Sequence, residues 1–173
     1  MINHRQTDQG TNKMSLTDAQ MTTLANHIRA NTDPLVITAL ADRNDTELAR
    51  LYNLDSSIYV WRTVIKPSEY KRSIVWTEVD TLNTGKARIW EWVSSMQSDD
   101  LDASDPNIRA GISEAFGAGT TTRANLLSIA KRLSSLYESV FAVGTGTEAD
   151  PGKTVLEGPV TIQIIGKALN ENP

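Results

Sequence analysis

Apolar positions recur at helical spacing along most of this chain. From Thr121 to Val143, Leu126, Ile129, Ala130, Leu133, Leu136, Tyr137, Val140 and Phe141 fall three and four residues apart, the period of an amphipathic helix. The pattern predicts one long central helix, started by Thr121 or Thr122 and ended by Gly144. On that reading Leu133 points inward, and Leu133→Ala should cost roughly 2 to 5 kcal/mol.

The N-terminal half reads as short helices with sharp corners. Thr17-Asp-Ala-Gln20 has the form of a capping box, with Leu16 and Met21 at the positions of a hydrophobic staple, and Met21, Leu24, Ala25 and Ile28 form the buried stripe. Asp33-Pro34 predicts a second helix to Asp42, and Asp45 caps a third to Tyr52. Ser57 to Ile65 is the one strongly β-prone stretch, with the Tyr59, Trp61, Ile65 face expected inward. A lone strand leaves its backbone unpaired, so it needs a partner near Thr154 to Leu156 or on another subunit.

Further on, Ser68 to Ile74 and Trp76 to Leu82 predict helical turns, with Thr77 as a cap. Thr84 to Met96 predicts a helix burying Ala87, Ile89, Trp90, Val93 and Met96 with Trp92 off that face. Gln97 to Ser104 reads as a solvated acidic loop. Asp105-Pro106 starts a helix lined by Ile108, Ile112, Ala115 and Phe116 and closed by Gly117. Val160 to Leu169 fits a last amphipathic helix better than a strand. The fold expected is mainly α: a helical bundle of about six to seven helices with one short β element and extended terminal arms. Residues 1–16 form the N-terminal arm, 17–143 the helical core and 144–173 a C-terminal docking segment.

Charge and chemistry narrow the picture. The formal net charge is -4, so no bulk positive field holds nucleic acid. With no cysteine and only His4 and His27 for imidazole, disulfides, thiolate nucleophiles and the usual zinc sets are excluded, and neither a metal nor a cofactor is expected. No apolar run is long enough for a membrane span or signal peptide, so a cytosolic or assembled soluble protein is expected, with no membrane contact. Gly152-Lys153-Thr154 ends like a phosphate-binding loop, but Thr147 stands where the first glycine is needed and no helix can follow into Gly158-Pro159. Closely spaced Asp99, Asp100 and Asp102 lack the glycine and final glutamate of a calcium loop. Arg62, Lys66, Lys71 and Arg72 beside Trp61 and Tyr70 have the ordinary density of a solvated surface. The helix pair around Phe116 to Gly119, followed by Arg123, Lys131 and Arg132, offers a helix-turn-helix reading and with it a small DNA-binding regulator. No catalytic residue is expected, since no nucleophile elbow or histidine-based triad is present.

Several stretches resemble a known group of proteins: NTDPLVITALADRNDTELARLYN from Asn31 to Asn53, then VWRT, WTEVD, DPNIRAGISEAFG and TTRANLLSIAKR. Together these are similar to the small structural proteins of tailed double-stranded DNA bacteriophage virions, of the head-to-tail connector (adaptor) type. The similarity covers roughly Thr17 to Leu169 and carries no active-site motif. It implies a homo-oligomeric ring, typically dodecameric, in the virion neck, formed in the host cytoplasm. The portal protein and a tail-completion or stopper protein are its implied neighbours, and double-stranded DNA passes without sequence-specific binding. Other virion positions, in tail tube or capsid, belong to the same class. Subunit or partner contacts are expected at Ile2 and Arg5, at Trp61 and its strand, at Trp92, and at Ile164, Ile165 and Leu169, because aromatic and large apolar residues concentrate at interfaces.

Overall fold

The computed structural model describes residues 16–95 and 100–171. Among them the chain is mainly helical, with ten helices and two small antiparallel sheets of two strands each. Its contacts divide it into two compact units, one joining residues up to Leu51 with those from Val160 onward, the other running from Tyr52 to Pro159. This partition crosses the 17–143 core read from the sequence.

The first unit begins with α1 (Asp18–Ala30). Its capping box forms as the sequence predicts, the Gln20 amide donating to Thr17 Oγ1 and the Thr17 amide to Gln20 Oε1, at 3.3 and 2.9 Å. Asp33 starts α2 (Pro34–Ala41) by accepting the Leu35 amide at 2.8 Å. For α3 (Asp45–Tyr52) the cap lies one residue earlier than expected: Asn44 Oδ1 accepts the Glu47 amide at 3.0 Å, and Asp45 is already helical. The segment that reads as helix or strand is α10 (Ile162–Glu171), packed against α1 with Ile165 and Ala168 buried. Arg29 Nη2 closes this contact on the Leu169 carbonyl at 3.1 Å. Gly166 lies so close to α3 that an added Cβ would sit 2.8 Å from Asp45 Oδ2.

In the second unit the predicted strand is β1 (Asp55–Trp61), and its partner overturns the long central helix. Thr121 to Val143 is not one helix but α8 (Thr121–Ile129), β2 (Lys131–Ser135), α9 (Leu136–Val140) and β3 (Ala142–Val143). Two physical reasons outweigh the apolar spacing. Ser135 and Glu138 form a capping box that starts a new helix, with Glu138 N–H on Ser135 Oγ at 3.1 Å and Ser135 N–H on Glu138 Oε2 at 2.9 Å. β1 also needs a ladder, and β2 supplies it antiparallel, pairing Tyr59 with Leu133, Val60 with Arg132 and Trp61 with Lys131. On the other edge of β1, Tyr59 N–H reaches the Gly146 carbonyl at 2.8 Å and Trp61 N–H the Gly152 carbonyl at 2.9 Å. Gly152 leads into β4 (Lys153–Thr154), which pairs with β3.

The inward face of β1 also differs from expectation. Val60 is fully buried while Tyr59 and Trp61 are half-buried; Arg62, the charge that shares the parity of Val60, lies beyond the strand end at Trp61 and pairs with Glu69, so it does not turn that face outward. Ile65 is buried as expected, beyond the strand end, through a two-bond bridge to Leu101. That bridge corrects the reading of the acidic loop as wholly solvated, for Leu101 and Ala103 lie in the core.

The core of this unit lies among α4 (Pro67–Arg72), α5 (Trp76–Asp80), α6 (Thr84–Ser95), α7 (Pro106–Ala115) and α8. Trp90 meets Tyr70 and Phe116 edge-on, with ring centroids 6.5 and 5.1 Å apart, the arrangement favoured by the ring quadrupoles. Val93, Ile108, Ile112 and Leu126 fill the space around them. An added Cβ on Gly111 would come within 2.5 Å of Val93 Cγ2, so glycine permits the close approach of α6 and α7. Neither Thr121 nor Thr122 caps α8: Glu78 on α5 does so, its carboxylate accepting both their amides at 2.9 and 2.8 Å. α5 itself starts after Val75, not at a Thr77 cap.

Candidate assembly surfaces and the buried charge network

The expected contact residues take up different positions. Trp92 is 56% exposed on α6, as its place off the buried face predicts. Trp61 is half-buried, its ring covered by the Arg109 guanidinium at 4.4 Å, a cation–π contact made within the chain. Ile165 is fully buried in its own unit, so its side chain is spent on packing within the chain, while Ile164 and Leu169 are half-buried. Ile2 and Arg5 lie outside the described residues.

A stronger apolar surface went unread in the sequence. α2 has the sequence PLVITALA, with no charge in its eight residues. It buries Val36 and Ala39 but leaves Leu35 59% and Ile37 51% exposed. At ~100° per residue Leu35 and Ile37 lie roughly 160° apart, flanking the buried stripe on both sides. A helix apolar all round is ordinarily covered on all sides. Its sequence signal is the charge-free octapeptide that follows the cap-and-proline start. Trp76, 60% exposed at the start of α5, is a further bare aromatic.

The other prominent feature is a charge network beneath β2. Glu138 is only 3% exposed. Its carboxylate accepts both Arg132 Nη atoms at 2.6 and 2.8 Å, the Ser135 amide at 2.9 Å and the Gly158 amide at 3.0 Å. Arg132 also donates to Glu157 Oε1 at 2.9 Å, and the Thr63 hydroxyl donates to Glu157 Oε2. Burial by itself would raise the Glu138 carboxyl, but Arg132 and the Gly158 and Ser135 amides hold it below the ordinary carboxylate range. Arg132 is held above its ordinary value, chiefly by its bond to Glu138. Neighbouring Tyr137 is pushed up to about 12 by burial and by the Glu138 charge.

This network changes how the basic residues read. Lys131 sits 3.3 Å from the Glu148 carboxylate, and Arg132 is engaged as above. Both lie on β2, so with Arg123 on α8 the three cations do not share a helix face. Arg62 pairs with Glu69 at 2.9 Å and Lys66 with Asp100 at 2.9 Å. The Gly152 amide, which a phosphate loop would aim at its ligand, donates to the Tyr59 carbonyl at 2.8 Å. An open cleft of about 340 Å³ is lined by Glu78, Leu82, Lys86, Phe116 and Thr120. Among the described residues no group of three or more His, Asp or Glu side chains is placed to hold a metal, and no helix is long and apolar enough to cross a membrane.

The class defined by this geometry is a mainly helical protein with two small antiparallel sheets. Comparison with protein-family models, with curated proteins and with solved structures yields no match.

Proposed function

We propose that this protein is a structural subunit of a tailed bacteriophage virion, an adaptor of the head-to-tail connector that acts by assembly. The observation that carries the reading is the bare apolar surface of α2, with Leu35 and Ile37 exposed on a helix without charge. Contiguous apolar surface marks a site covered in an assembly, and because Leu35 and Ile37 lie on opposite flanks of α2, covering both takes a neighbour on each side of the helix. The resemblance of Asn31 to Asn53, which contains α2, supplies the kind of assembly. In this reading copies of the chain form a ring in the neck, between the portal protein and a tail-completion or stopper protein. The acidic balance suits a conduit, since a wall that does not grip phosphates lets DNA pass.

Electron microscopy of the purified protein, with immunolabelling of virions, tests the proposal. Rings in solution and label at the neck are expected; label on the capsid shell, or only outside particles, overturns it. Leu35→Lys with Ile37→Lys should abolish the rings while leaving the thermal melt of the monomer in place, as both side chains are more than half exposed. The DNA-regulator reading is less well supported, because Lys131 and Arg132 are already committed to carboxylates.

A further inference from the structure

The ladder of the second sheet ends at Thr154 and α10 begins at Ile162. Among the described residues, 155–159 make no backbone–backbone hydrogen bond. Side-chain hydrogen bonds hold them. The Thr154 hydroxyl donates to the Leu156 carbonyl at 2.6 Å, Arg132 and Thr63 grip Glu157, and Glu138 takes the Gly158 amide. Gly158 has φ of 109°, a conformation that favours glycine. Val155 is exposed. Chain connectivity adds weight to this place. The chain passes between its two compact units twice, once inside α3 at Leu51 and Tyr52, where helical hydrogen bonds continue, and once at Pro159 and Val160.

From this we infer that residues 155–159 form a releasable strap, latched by Arg132, Glu138 and Thr63, whose opening gives slack to the passage between the two units. A latch made mainly of polar side chains, with Leu156 half-buried as its one apolar contribution, opens at lower free-energy cost than the core, which places such a segment toward the mobile end of a molecule's local stabilities. Once free, the five residues from 155 to 159 span up to about 17 Å when extended. A subunit that must fit neighbours during assembly gains from such a tether, but the inference stands on the latch geometry and not on the virion reading.

Glu157→Ala and Thr63→Val open the latch without touching the capping box of α9. Hydrogen exchange followed by mass spectrometry on the full chain should show amides 155–158 exchanging about tenfold faster in each variant, with β1, β2 and α10 unchanged. The chain lacks cysteine, so Asn26→Cys and Ser68→Cys allow one spin label in each unit. Pulsed dipolar spectroscopy should then show a broader distance distribution in Glu157→Ala than in the parent. Unchanged strap exchange in both variants overturns the inference, as does a rise shared equally by β1 and β2, or an unchanged distance distribution.

Discussion

Glu138 shows what one residue does here. Its carboxylate satisfies two amides and a guanidinium, from β2 and from Gly158, and its side chain is 5% exposed. Removing one partner of a buried ion pair costs more than the pair contributes, because the remaining groups lose their compensation. Glu138→Ala is therefore expected to destabilise the unit 52–159 by about 3 kcal/mol, toward the low end for such losses because Arg132 stays 30% exposed and keeps Glu157. Urea denaturation read by tryptophan fluorescence measures this, since Trp61, Trp76, Trp90 and Trp92 all lie in that unit. The pH dependence has a definite sign. A carboxyl whose folded pKa lies below its ordinary value of 4.5 contributes stability fully present above that value and lost as pH falls through the folded pKa. Glu78, lowered by the Thr122 hydroxyl and the Thr122 and Thr121 amides, acts in the same direction. The unit should lose stability below about pH 4.5, and Glu138→Gln should flatten that slope.

At the scale of elements, the segment after Thr121 shows how spacing and structure part. Leu126 and Leu133 occupy the same apolar stripe if the segment is one helix. In the structure Leu126 is buried under α8, whereas Leu133 lies on β2, half-buried. Leu126→Ala should cost about 2 to 5 kcal/mol and Leu133→Ala less than half of that, compared by denaturation midpoints. Equal losses would restore the single-helix reading. The Ser135 to Glu138 box has the sequence form of a helix start, but the apolar spacing predicted a helix running straight through it. The demand of β1 for a neighbour was also legible, but not which segment would meet it, because ladder hydrogen bonds are made by backbone that every residue carries. The corners at Thr17, Asp33 and Asp105 were read correctly because each is set by a side chain a few residues from the amide it caps. The cap of α8 was not, since Glu78 lies 43 residues from Thr121.

For the whole molecule, the division into units predicts that the second folds on its own. Residues 52–159 contain a core of their own, from Ile65 and Trp90 to Phe116 and Leu126. A fragment of these residues should fold alone and melt cooperatively, with the Trp90 emission shifted to the blue as in the full chain. A fragment with the circular dichroism of an unfolded chain would show that the other unit is needed. The first unit is discontinuous in sequence, so its completion by α10 could not be read locally: Ile165 looks alike whether it covers a partner or α1. The candidate contact residues suffered from the same ambiguity. Trp92 kept its exposure, but Trp61 found Arg109 within the chain.

The sequence by itself determined the helical class, most helix boundaries and the buried residues of α1 and α7, because these depend on caps and periodicity within about a dozen residues. Only the tertiary structure decided the partner of β1, the break after Ile129, the cap of α8 by Glu78 and the burial of Glu138. Each of those joins groups far apart along the chain, and the free energy of such a contact depends on what else is brought beside it.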